Sequence, residues 1–146
     1  YFSQKVIQAD TYAQTGDKEQ AGQAFAEVVE AAQDTESAEF NNVVCRYGSL
    51  DGFAEIVLPA CEEAVDLASE DEDETQVGRY QDSRGVALAL NDQPDQAIED
   101  FGAFIDWATE KKRPQREVAL RQKWIDDLKA NRNPFDPDTL VNLRPN

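Results

Sequence analysis

The sequence predicts an all-α chain of three antiparallel helix hairpins followed by a capping helix and a short tail helix, and three observations lead there. Stretches with apolar residues at helical spacing alternate with short polar breakers, and no segment of four or more residues carries the β-branched alternation of a strand. The breakers at Gly16, Gly52 and Asp92 recur at intervals of 36 and 40 residues, which is repeat behaviour. The 146 residues suit one domain or one short stack with a shared core, so 1–146 is read as a single unit.

The elements follow in order. Helix 1 is expected over Phe2 to Gln14, ended by Thr15-Gly16-Asp17, and helix 2 over Lys18 to Gln33. Helix 3 is expected over Phe40 to Tyr47, broken by Gly48-Ser49-Leu50-Asp51-Gly52, and helix 4 over Phe53 to Ser69. The acidic run Glu70 to Glu74 can bury nothing and reads as a solvated loop. Helix 5 is expected over Thr75 to Leu90, and Pro94 suits the opening of helix 6, which runs to Glu110. Pro114 restarts the chain in a capping helix to about Asn131, with Leu120, Trp124, Ile125 and Leu128 as its apolar stripe. In the tail, 132–146, Asp136 is placed as an N-cap with Pro137 at the first helical position, and Phe135, Leu140 and Leu143 would dock it on the body.

Aligned on their breakers, the hairpins place Ala9, Cys45 and Gly85 seven residues upstream and Tyr12, Gly48 and Leu88 four residues upstream. Downstream come Ala21, Val57 and Ala97, and four further on Phe25, Cys61 and Phe101. Small residues at Ala9, Ala21, Gly85 and Ala97 let paired helices approach, while Tyr12, Phe25 and Phe101 fill the gap to the next helix. One hairpin cannot bury its face alone, so stacking must supply the core.

This pattern resembles the tetratricopeptide repeat family, best in Ala9-x-x-Tyr12-x-x-x-Gly16-Asp17-x-x-x-Ala21-x-x-x-Phe25 and Gly85-x-x-Leu88-x-x-x-Asp92-x-x-x-x-Ala97-x-x-x-Phe101. Repeats fall at about 3–36, 38–71 and 76–110. The third repeat and the ending from Trp124-Ile125 to Asn133-Pro134-Phe135 are similar to repeats of bacterial multidomain proteins. The second departs from the pattern, with Cys45 and Cys61 at packing places and no aromatic residue there. The resemblance implies a short right-handed solenoid whose first helices line a concave groove for a partner polypeptide.

By register that groove takes Ser3, Val6, Ile7, Asp10, Ala13 and Gln14 from the first hairpin, and Glu39, Asn42, Val43, Arg46, Ser49 and Leu50 from the second. The third contributes Arg79, Asp82, Ser83, Val86 and Leu90. Arg46, Arg79 and Asn42 are the expected donors to partner carboxylates or carbonyls, and Val6, Ile7, Val43 and Val86 the apolar floor. Some family members grip a C-terminal carboxylate with two basic residues and two asparagines, but the matching places hold Val6, Asp10, Val43, Arg79 and Ser83, of which only Arg79 fits.

Composition narrows the function classes. A formal charge of −16 disfavours nucleic acid and anionic lipid as partners. The charge is uneven, for Lys111 to Arg132 holds eight of the fourteen basic residues against Glu117, Asp126 and Asp127. There is no histidine, nucleophile elbow or phosphate loop, so no enzyme, catalytic residue or cofactor is expected. No metal site is expected either: the acidic run lacks the glycine turn of a calcium loop, and Cys45 with Cys61 reads as a reduced pair of small buried packing residues on facing helices. A disulfide would need an oxidising compartment and Cα atoms within about 7 Å. No membrane-inserting segment is present, and the absence of methionine suggests a piece of a longer protein. A cytoplasmic setting is favoured, or an extracytoplasmic one if a signal or anchor was removed before Tyr1. Beside the groove, self-association or structural docking through the ends of the stack is the alternative, to be judged by whether the apolar stripe of the capping helix is covered.

Overall fold

The local signals for turning the chain are strong. Asp17, Ser37 and Asp136 each accept a hydrogen bond from the backbone N–H three residues on, at Gln20, Phe40 and Thr139, so each satisfies an orphan donor where a helix begins. Gly16, Gly52 and Asp92, the repeating breakers, all take the left-handed conformation, with φ of 85°, 94° and 61°. Each closes a helix with paired bonds back to its last turn; at Asp92 these are Asp92 N–H to Ala89 and Gln93 N–H to Leu88. Lys112 and Asn131 close α6 and α7 in the same way, although neither is a glycine.

The computed structural model describes residues 2–70 and 75–144. Its helices are α1 (Phe2–Gln14), α2 (Lys18–Asp34), α3 (Ala38–Leu50), α4 (Ala54–Glu70), α5 (Val77–Leu90), α6 (Pro94–Glu110), α7 (Gln115–Lys129) and α8 (Pro137–Leu143), with no strand among the described residues. The protein is all-α. Of the acidic run, Glu70 ends α4 and residues 71–74 lie outside the described residues.

One break differs from the sequence expectation. Gly48, Ser49 and Leu50 belong to α3, and the turn is confined to Asp51 and Gly52. The reason is packing: a Cβ at position 48 would stand 2.2 Å from Cγ1 of Val57, so this glycine is where α4 crosses α3 and not where the chain turns. α3 also starts earlier than expected, because Ser37 caps it.

Consecutive helices α1 and α2, α3 and α4, and α5 and α6 pack as hairpins. Side by side, α1, α3 and α5 make one layer, α2 packs on α4 behind it, and α7 packs on α6 at the end. Ala9, Ala21, Ala97, Phe25 and Phe101 are fully buried, as the small and large places of the pattern require. Phe101 reaches under Gly85, where a Cβ would meet its ring at 2.7 Å, and meets the rings of Trp124 and Phe135 on its other side. Arg84 of α5 donates twice to Asp100 of α6, at 2.8 and 2.7 Å, tying the third hairpin by a two-pronged ion pair.

The cysteines correct the expectation of a reduced pair. Both are buried as packing residues, but Cys45 of α3 and Cys61 of α4 are joined in a disulfide, their Cα atoms 4.9 Å apart. The narrow crossing at Gly48 and Val57 brings the two helices close enough for that bond.

Two outcomes follow from this packing. Replacing both cysteines by alanine opens a closed loop spanning 16 positions and should lower stability by about 3 kcal/mol on the chain-entropy account, read from urea unfolding. Phe101→Ala should lower it by about 3 to 5 kcal/mol, and a loss under about 1 kcal/mol would refute the packing of the third hairpin.

Candidate functional site

A groove of about 520 Å³ runs between α3, α5 and α7. Its floor is aromatic and apolar: Tyr80 and Val86 from α5, Phe104 and Trp107 from α6, and Val43 from α3. Gly78 makes that floor possible, since a Cβ there would lie 2.1 Å from the Trp107 ring; Trp107 can reach beneath α5 only because position 78 has no side chain. Phe104 and Trp107 lie against each other with centroids 5.7 Å apart.

Four arginines, Arg46, Arg79, Arg113 and Arg121, face three carboxylates, Glu39, Asp82 and Glu117, so the groove is locally positive in a chain of charge −16. Two pairs are committed. Arg121 donates to both oxygens of Asp82 at 2.9 and 2.7 Å, with its guanidinium carbon 4.5 Å from the Phe104 centroid. Arg113 donates to both oxygens of Glu117, whose hydrogen bonds hold that carboxyl below the usual range against some desolvation. Arg46 is exposed and donates to the carbonyl of Leu143 at 3.2 Å. The exposed guanidinium of Arg79 has no hydrogen-bond or ion-pair partner among the described residues.

Two polar atoms of wall residues are buried without a partner among the described residues. Ser49 is 2% exposed, and neither its Oγ nor the Oδ1 of Asn42 has a hydrogen bond among the described residues. Both atoms are buried, so each carries the desolvation penalty of an unpaired polar group.

The sequence candidates divide cleanly. Asn42, Val43, Arg46, Arg79, Asp82, Ser83 and Val86 line the groove together with Glu39, Ser49 and Leu50. Val6 does not: it is 1% exposed in the core with Phe25 and Val44, because the helical register of α1 turns its neighbour Ile7, at 56%, to solvent. Ile7, Ala13 and Leu90 are absent from the groove lining, and the side chain of Ser3 lies outside the described residues. Sequence reasoning missed Gln76, Tyr80, Phe104, Trp107, Arg113, Glu117, Arg121 and Leu143. The arginines of α7 carried a signal, the basic excess of 111–132, but it reads equally well as a solvated helix.

Asp10 and Gln14 serve a second cluster. Arg144, beyond the end of α8, donates to Asp10 at 3.2 Å, to Asp51 and to the carbonyl of Leu50, while Gln14 presents its amide oxygen to both terminal nitrogens at 2.7 and 2.8 Å. Burial, and then the neighbouring Asp10 carboxylate, push Asp51 up to about 7, against the pull of Arg144. For Asp10, burial is outweighed by hydrogen bonds with Asp51 and Arg144, leaving it below its ordinary value.

Among the described residues no group of three or more acidic or cysteine side chains is arranged to hold a metal ion, and no helix is long and apolar enough to cross a membrane. No family model, curated protein or solved structure matches the chain.

The acid pair sets a pH dependence. Asp51 binds its proton more tightly folded than unfolded, so its stabilising contribution is full below its unfolded value of 3.8 and is lost as pH rises through about 7. Unfolding midpoints measured across that range should show a decline with rising pH that Asp51→Asn flattens; an unchanged slope in the variant would place the titration elsewhere.

Proposed function

We propose that the protein is a polypeptide-binding module, that its hairpins form a short right-handed solenoid of tetratricopeptide type, and that the groove between α3, α5 and α7 receives the partner. One observation carries the reading: the exposed guanidinium of Arg79, which has no hydrogen-bond or ion-pair partner among the described residues, lines the same groove as Arg46 and the aromatic floor. That set suits a segment bearing a carboxylate, an apolar side chain and backbone carbonyl groups. The groove already takes a peptide carbonyl, for Arg46 holds that of Leu143. Assembly through the ends is the weaker reading, because Trp124, Ile125 and Leu128 of α7 are buried and of its stripe only Leu120, at 38%, is exposed.

The Cys45–Cys61 bond further supports work in an oxidising compartment rather than the cytoplasm first favoured.

Peptides selected by display on the full chain provide the test. Arg46→Glu with Arg79→Glu should weaken a selected peptide about tenfold or more, the order of a lost charged hydrogen bond, while stability shifts by about 0.5 kcal/mol. Unchanged affinity in that variant, together with loss of binding on reversing Lys111, Lys112 and Arg116 outside the groove, would move the working surface to the basic segment.

A further inference from the structure

The C-terminal tail is fastened at two points. Pro134 and Phe135 are buried, with the Phe135 ring against those of Trp124 and Phe101, so the start of the tail belongs to the core. From Asp136 onward the attachment thins. α8 has no fully buried residue; Leu140 and Leu143 are half-buried and Val141 is 64% exposed. Seven residues are too few for a helix to persist without its docking contacts. The far end is pinned by Arg144, on Asp10 and Gln14 of α1 and on Asp51 and the Leu50 carbonyl at the end of α3, beside the packing of Leu140 and Leu143 on the core.

This second fastening lies on the groove side of the molecule. Leu143 is part of the groove wall, and its carbonyl occupies Arg46, one of the groove's two arginines paired with no carboxylate among the described residues.

We propose that residues 136–144 are a detachable strap, hinged after Phe135 and latched by Arg144, whose release frees Arg46 and joins the groove to the surface of α1 and α3 beneath the tail. The strap's gating role rests on the reading that the groove binds a polypeptide; its detachment does not. Local opening here breaks a few polar bonds and uncovers two half-buried leucines, whereas α5 and α6 can expose their amides only by losing the core around Phe101. An open strap trades its own bonds to Arg46 for those of a partner, so closure lowers apparent affinity by the fraction of molecules left open.

Native-state hydrogen exchange on the full chain tests detachment. In the wild type the amides of Leu140 to Leu143 should exchange faster than those of α6 around Phe101. Arg144→Ala should speed them about tenfold or more while the amides of α5 and α6 around Phe101 stay unchanged, and Asp10→Asn should act in the same direction more weakly. Exchange of α8 in step with α6, or no response to Arg144→Ala, would overturn the strap. Gating is read separately with a display-selected groove peptide, which should bind the Arg144→Ala chain several-fold tighter than the wild type. Equal or weaker binding would overturn the gating and leave the groove standing. Failure to select any peptide would fell the groove reading and the gating with it, and the exchange rates would still decide whether the strap detaches.

Discussion

Close approach of paired helices, made possible by glycine opposite a large side chain, is the constraint on which the rest of this structure depends. It occurs at Gly48 against Val57, at Gly85 against Phe101 and at Gly78 against Trp107, and at each crossing a Cβ would fall under 3 Å from the facing side chain. Glycine in a helix interior costs about 1 kcal/mol of local propensity, so these positions run against local preference for the sake of tertiary contact. In return the facing side chains Val57, Phe101 and Trp107 are buried, and that burial is the larger effect. The buried disulfide depends on the same approach, since Cys45 and Cys61 flank the first of these crossings.

The groove inherits its character from that packing. With Gly78 in α5, Trp107 lies under the helix and beside Phe104, and together they give an acidic protein an aromatic floor. The arginines stand above it for two different reasons. Arg113 and Arg121 are neutralised by Glu117 and Asp82 and shape the wall, whereas Arg46 and Arg79 are paired with no carboxylate among the described residues.

At the other end of the same side of the molecule, one guanidinium is shared by two carboxylates, one of which is driven to titrate near neutrality by burial beside the other. Asp10 entered the sequence reading as a groove residue and turned out to hold the chain's own tail, through a contact between residues 134 positions apart. The groove and the tail anchor thus meet at Leu143 and Arg46.

The sequence by itself determined the helices and where they turn, because those depend on neighbours: an N-cap acts over three residues, and a left-handed closing position over one turn. It determined the small and large places of each hairpin too, since helical spacing is local and periodic. Gly48 was misread because a packing glycine and a turn glycine are the same residue, told apart only by whether Val57 crosses there. Val6 was misplaced because one step along a helix rotates a side chain by about 100°, enough to exchange core for surface. Tertiary structure alone decided the Cys45–Cys61 bond, the Arg121–Asp82 pair 39 positions apart, the aromatic floor and the seat of Arg144. Each requires two distant segments to be brought within a few ångströms, and that distance is set by how whole helices pack, which no local spacing encodes.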